Sequence, residues 1–293
     1  MFTFLLDRFY TRLAVLPQYL LPKLALTKFA GWVANAERGV KTTRLINWFI
    51  KKYQVNMAEA ANPDPASYAS FNAFFTRALR ADARPLANAR WVCPVDGAIS
   101  QFGKIDANQI FQAKGHRYNT ETLLGGDTSL AKEFQDGHFA CIYLSPKDYH
   151  RIHMPCDATL RSMKYVPGDL FSVNPTTARG VPNLFARNER LVCVFDTPHG
   201  AFVNVLVGAT IVGSMATTWA GVIKRDTALV HNFTYDKDST PFKQGDEMAR
   251  FLLGSTVVML WPKEIKNCED RDFTFNEDWA AGKAVRLGEE MAG

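Results

Sequence analysis

Apolar residues recur at two different periods along this chain, and the change of period divides it. Residues 1–55 carry leucines and aromatics in short bursts interrupted by the helix-breaking Pro17 and Pro22, which predicts several short amphipathic helices. Ser67 to Leu79 places Phe71, Phe74, Phe75 and Leu79 at helical spacing and predicts a further amphipathic helix, closed before Arg84-Pro85. From Trp91 onward the runs are rich in Val, Ile and Phe. They are punctuated by Asp96-Gly97, Gly125-Gly126, Pro167-Gly168, Pro198-His199-Gly200 and Gly245-Asp246, the cadence of a compact β domain. The expected class is α+β: short N-terminal amphipathic helices over 1–60, then a β-rich, sandwich- or barrel-like domain over 61–293.

One uncharged run, Thr197 to Ile223, is long enough to suggest a membrane span. Gly208, Gly213 and Gly221 break it, and Asn204, Thr210, Ser214, Thr217 and Thr218 recur among its apolar residues, so two or three buried strands are expected instead.

Charge changes the picture at the N-terminus. Residues 1–52 hold nine cations (Arg8, Arg12, Lys23, Lys28, Arg38, Lys41, Arg44, Lys51, Lys52) against Asp7 and Glu37, a net of +7 in a chain of net +5. Nine aromatics, among them Phe2, Phe4, Phe9, Tyr10, Trp32, Trp48 and Phe49, are interleaved with them, which suits a lipid–water interface. The longest uncharged run there, Leu13 to Pro22, is well short of the roughly 20 residues a span requires, and a signal peptide is not expected. A peripheral membrane protein is therefore expected. The five cysteines (Cys93, Cys141, Cys156, Cys193, Cys268) lack a Cys-x-x-Cys pair, arguing against a disulfide framework or a zinc site and for a reducing compartment.

Three segments carry candidate chemistry. In FLLGSTVVML (251–260), Ser255 follows a glycine. Its hydroxyl could attack the Gly254 carbonyl, turning the amide into an ester by an N→O acyl shift. Elimination and loss of ammonia would then leave a pyruvoyl group. The alternative is a buried strand with a glycine bend. In YLSPKDYHRIHMP (143–155), Ser145 as cap, Pro146 at the first helical position and Asp148 in the first turn predict a single helical turn with His150 and His153 on one face. Those imidazoles could be acid/base groups, a surface coincidence or, least favoured, a metal pair. Asp96 in WVCPVDGAIS (91–100) could orient such a base, or be half of a hairpin turn.

Taken together these segments resemble the bacterial, membrane-associated phosphatidylserine decarboxylases. FFTRALRADARPL (74–86), CPVDGAIS (93–100), QAKGHRY (112–118), YLSPKDYHRIHMP (143–155), VPGDLFSVNP (166–175), NLFARNERLV (183–192), GDEMARF (245–251) and LGST (253–256) occur in the order expected of that family. The resemblance implies a proenzyme of phospholipid biosynthesis that cleaves itself between Gly254 and Ser255, giving chains 1–254 and 255–293. Asp96, His153 and Ser255 would drive the cleavage, with His153 as base and Asp96 fixing its tautomer. The cofactor would be a pyruvoyl group made from Ser255. It would form a Schiff base with phosphatidylserine and release CO2 and phosphatidylethanolamine, with His150 as acid/base in the decarboxylation.

Phe171, Ser172 and Asn174 could line the substrate pocket, although Asn-Pro is also a turn signal. No metal and no nucleic acid is expected, the resemblance suggests a homodimer, and the place of action would be the cytoplasmic face of the cell membrane. Decarboxylation turns an anionic lipid into a net-neutral one, so the basic segment should favour substrate-rich surface. A pyruvoyl enzyme of a soluble amino acid, a serine hydrolase and a non-catalytic membrane-binding protein are the rival readings.

Overall fold

The structure is a computed structural model, and it describes residues 15–113, 116–210, 214–223, 229–236, 239–266 and 273–293. The expectations on Phe2, Phe4, Asp7, Arg8, Phe9, Tyr10, Arg12 and Cys268, and on Leu13, Lys114, Gly115 and Gly213 within their segments, lie outside the described residues.

The fold is α+β, and its centre is an antiparallel nine-stranded sheet. Its path runs through His231–Thr234, Ala158–Val166, Arg190–Thr197, Gly200–Val207, Ser255–Trp261, His138–Leu144, Gly97–Lys104 and Ala284–Val285, with Pro241–Phe242 also paired to the Ala158 strand. A second, four-stranded sheet runs Gly221–Val222, Met215–Thr217, Glu247–Phe251 and Arg151–His153. The uncharged run thus divides into strands of both sheets, with Pro198-His199 turning the first hairpin. The two sheets stay open, so the layered half of the sandwich- or barrel-like expectation holds and no closed barrel forms among the described residues.

Strand Ser255–Trp261 is apolar throughout after its first two residues because both of its faces are covered. Val257, Met259 and Trp261 join a core that also holds Met215, Met248 and Phe251 from the smaller sheet. Val258 and Leu260 point the other way, into a core shared with Leu184 and Phe185 of a short helix, Leu184–Arg187. Period-two alternation with burial on both sides is what an interior strand requires.

At the N-terminus residues 15–20 are helical, followed by helices Lys23–Asn35 and Val40–Tyr53. Ala34, Ile46, Phe49 and Val55 pack with Phe71, Phe74 and Phe75 into a third core. The opposite surface shows Leu20 at 83%, Phe29 at 62% and Trp32 at 59% exposure, beside exposed Lys28, Lys41, Arg44, Lys51 and Lys52. Among the described residues no helix is long and apolar enough to cross a membrane.

Three local expectations are corrected. The helix over Ser67 to Leu79 shrinks to Phe71–Phe75, capped by Ser70, whose hydroxyl accepts from the Ala73 N–H at 3.1 Å. Beyond Thr76 the backbone bonds to residues 59–61 instead, through Arg80 N–H to the Glu59 carbonyl and Ala61 N–H to the Ala78 carbonyl, and this pairing outcompetes further helix. Residues 143–155 form no helical turn: the Asp148 carboxylate accepts from the Ser145 N–H at 2.7 Å in a tight turn, and Arg151–His153 is a strand paired with Glu247–Arg250. A three-residue separation in extended chain sends side chains to opposite faces, so His150 and His153 do not share one. Asp96-Gly97 is not a hairpin turn either, since Gly97 opens the strand that ends at Lys104. A Cβ on Gly97 would lie 2.5 Å from the Tyr143 carbonyl oxygen, so close strand approach is what requires glycine.

Candidate active site

Gly254 and Ser255 lie where the chain leaves the smaller sheet and enters the middle of the larger one. Strand Glu247–Phe251 ends, Leu252 and Leu253 bend, and Ser255 begins the strand held between Gly200–Val207 and His138–Leu144. Neither packing nor dihedral angle demands glycine at 254: φ is not positive there, and an added Cβ would meet only His150 Nε2, at 3.9 Å. Ser255 is fully buried, and its Oγ makes no hydrogen bond among the described residues.

His150 reaches this junction from the turn after strand His138–Leu144. Its backbone carbonyl accepts from the Phe251 N–H at 3.0 Å, and its ring lies 4.1 Å from that of Phe75, centroid to centroid. The Nδ1–H donates to the Asp148 carbonyl at 2.8 Å, which leaves Nε2 as a lone pair facing Gly254. Burial drives the imidazole pKa down to about 3, so this ring is neutral at physiological pH.

His153 and Asp96 are engaged elsewhere. His153 Nδ1–H donates to the Gly245 carbonyl at 2.8 Å and Nε2 accepts from the Tyr149 hydroxyl at 3.1 Å, so a backbone carbonyl, not Asp96, sets this tautomer. Burial lowers its pKa as well. Asp96 is clamped by Arg84, whose Nη2 lies 2.6 Å from Oδ2 and whose Nε lies 2.9 Å from Oδ1, and Oδ1 also accepts from the Leu287 N–H at 2.9 Å. Arg84 continues to Glu59 at 2.8 Å. The histidine backbone N–H donates to the Pro94 carbonyl, two residues before Asp96, but no hydrogen bond joins the two side chains.

A cavity of about 230 Å³ opens onto Ser255, walled by Phe49 and Tyr53 of the N-terminal helices, Phe75, Tyr143, Ser172 and Thr210. Ser172 thus lies on the cavity wall. Phe171 lies behind, against Tyr19 at 4.9 Å between ring centroids, and Asn174 caps helix Pro175–Gly180 by accepting from the Thr177 N–H at 2.9 Å. A larger cavity of about 560 Å³ shares Tyr143 but does not reach Ser255. Arg84 and Tyr149 escaped the sequence reading. The one signal for Arg84 was indirect, a buried carboxylate needing a cation.

The family profile described as phosphatidylserine decarboxylase matches residues 71–293, and a second, described as PSD, matches residues 13–54. The chain belongs to the phosphatidylserine decarboxylase family. It is 65% identical over 285 residues to the phosphatidylserine decarboxylase proenzyme of Albidiferax ferrireducens, covering 97% of this chain and 98% of that one. Proteins of the same description from Azoarcus sp. and Polaromonas naphthalenivorans are each 64% identical, over 96% of this chain and 95% and 96% of theirs. As a member of this family it is a decarboxylase, and its place is in phospholipid synthesis.

Proposed function

We propose that the chain is a proenzyme that cleaves its own Gly254–Ser255 bond and then decarboxylates phosphatidylserine at a membrane surface, using a pyruvoyl group derived from Ser255. The observation that carries the reading is a pair of buried polar atoms without hydrogen bonds among the described residues, Ser255 Oγ and His150 Nε2, flanking a glycine that packing does not require. Burying two such atoms is unfavourable by about 1–3 kcal/mol each, which suits groups kept for a reaction.

The Ser255 hydroxyl attacks the Gly254 carbonyl, with Asp96 and His153 driving that step as in the family pattern. For them to act together, His153 must leave Tyr149 or Gly245, and Asp96 must exchange Arg84. After cleavage, residues 255–293 stay attached by the central strand, by Ala284–Val285 on Gly97-Ala98 and by Glu290–Ala292 on Trp91–Val92. The pyruvoyl group would supply a ketone that forms a Schiff base with the serine amine by loss of water and takes up the electron pair left by the departing carboxylate, and hydrolysis of the imine would release phosphatidylethanolamine. His150, with its Nε2 lone pair toward this point and the substrate carboxylate beside it to favour the protonated ring, passes the proton that the serine ammonium loses to the carbon that has lost CO2. The cavity of about 230 Å³ suits the head group, with Ser172 offering it a polar contact. Phe171 and Asn174 shape the same loop from behind.

Peripheral attachment through the exposed aromatics, leucines and cations of residues 15–52 is part of the same reading, as is its cytoplasmic face. The domain boundary near residue 60 is proposed on the change of hydrophobic period, and the homodimer on the family resemblance. Intact mass of the purified protein beside Ser255→Ala tests the cofactor. Two fragments splitting after Gly254, the smaller with an N-terminal carbonyl, together with CO2 release from phosphatidylserine, are expected. A full-length chain that persists with anionic lipid refutes it.

A further inference from the structure

Gln18 of the N-terminal segment bonds to the wall of the reaction pocket, and its hydrogen bonds fix its orientation. Gln18 Oε1 accepts from the Ser172 N–H at 2.9 Å, and Gln18 Nε2 donates to Thr177 Oγ1 at 3.0 Å. The Thr177 hydroxyl in turn donates to Asn174 Oδ1 at 3.2 Å, and the same oxygen accepts from the Thr177 N–H. Ser172 N–H can only donate, so the amide of Gln18 has a single orientation that satisfies the whole ring. Tyr19 and Lys23 complete the contact. Tyr19 meets Phe171 edge-on, and Lys23 Nζ lies 3.4 Å from the centre of the Phe171 ring while pairing with Asp169 at 3.6 Å.

The other side of this segment faces out. Val15 is buried and Gln18 half-buried, one turn apart, while Leu16 and Leu20 are 57% and 83% exposed. The residues that hold the Ser172 loop and those offered to lipid are therefore opposite faces of one helical turn.

We propose that Gln18 is a positioning residue that ties the lipid-facing segment to the pocket wall at 172–177, so that engagement of an anionic membrane orders the wall that receives the head group. Only the kinetic arm of the test rests on the decarboxylase reading. Hydrogen exchange of the 169–177 peptide is followed in Gln18→Ala and in Thr177→Val, which removes the hydroxyl at nearly constant volume, with and without phosphatidylglycerol vesicles. KM and kcat are measured on a short-chain, monodisperse phosphatidylserine. Loss of one such bond predicts exchange and KM raised about five- to tenfold with kcat nearly unchanged. Vesicles should slow exchange in the wild-type protein and not in either variant.

Exchange and KM unchanged in both variants overturn the proposal, and vesicle protection that persists in Gln18→Ala overturns the coupling. If Gln18→Ala fails to fold, Thr177→Val carries the test. If the wild-type protein releases no CO2, the decarboxylase reading falls while the exchange measurement still decides the role of Gln18.

Discussion

His150 Nε2 lies 3.9 Å from where a side chain on Gly254 would begin. The sequence separates these residues by 104 positions and by strands of both sheets, and the fold puts them together without a hydrogen bond between them. A neutral imidazole held this way can exchange protons with whatever forms at residue 255.

Replacing His150 by Ala should lower kcat by about 10²–10⁴-fold in processed protein. Its protonation also leaves a mark on stability. The folded ring stays neutral down to about pH 3 while the unfolded one gains its proton near 6.5, so between those values the unfolded state binds the extra proton and stability falls as pH falls. In a Ser255→Ala background, urea unfolding at pH 7 and pH 5 should show a loss larger by about 2 kcal/mol with His150 than with His150→Gln. Equal losses would mean that the ring is not held neutral.

Arg84 and Asp96 have side chains only 8% and 10% exposed, so removing the cation strands a buried carboxylate. Arg84→Met should cost about 3–5 kcal/mol by urea unfolding. Glu59, at 24% exposure, should matter much less, and Glu59→Gln provides the comparison. A cost below about 1 kcal/mol for Arg84→Met would show that Asp96 is held by other contacts.

Gly97→Ala adds a methyl group 2.5 Å from the Tyr143 carbonyl oxygen and 2.8 Å from a methyl of Ile142. Strand Gly97–Lys104 must then move away from His138–Leu144, taking Asp96 with it. We expect about 1–3 kcal/mol of destabilisation and slower processing, read by unfolding and by intact mass. A wild-type midpoint would mean that the strand pair absorbs the extra volume.

Near an anionic surface each cation contributes about 1 kcal/mol. Lys23 is occupied by Asp169 and Phe171, so Lys28, Lys41, Arg44 and Lys51 are the residues to neutralise. Converting all four to Gln should weaken binding to phosphatidylglycerol vesicles by at least about 30-fold at low salt, with little effect on phosphatidylcholine vesicles. Sedimentation with vesicles reads this directly, and unchanged affinity would remove the electrostatic account.

Several elements were legible because a local period encodes them. The buried strand at Ser255–Trp261 and the clustering of the phenylalanines at 71, 74 and 75 followed from the apolar run and the helical spacing alone. The length of the Phe71–Phe75 helix did not, since pairing with residues 59–61 ends it. Nor did the relation of His150 to His153, because the capping signals in 143–155 also suit a turn, and the partner strand Glu247–Phe251 decided the matter.

By itself the sequence determined the chemistry available: a serine after a glycine in an apolar strand, two histidines, an aspartate and a basic, aromatic N-terminus. Those properties reside in residue types and short-range order. Tertiary structure alone decided which groups meet, because Asp96 with Arg84, His150 with Gly254 and Gln18 with Ser172 are joined by sheet register and helix docking, which no local pattern records.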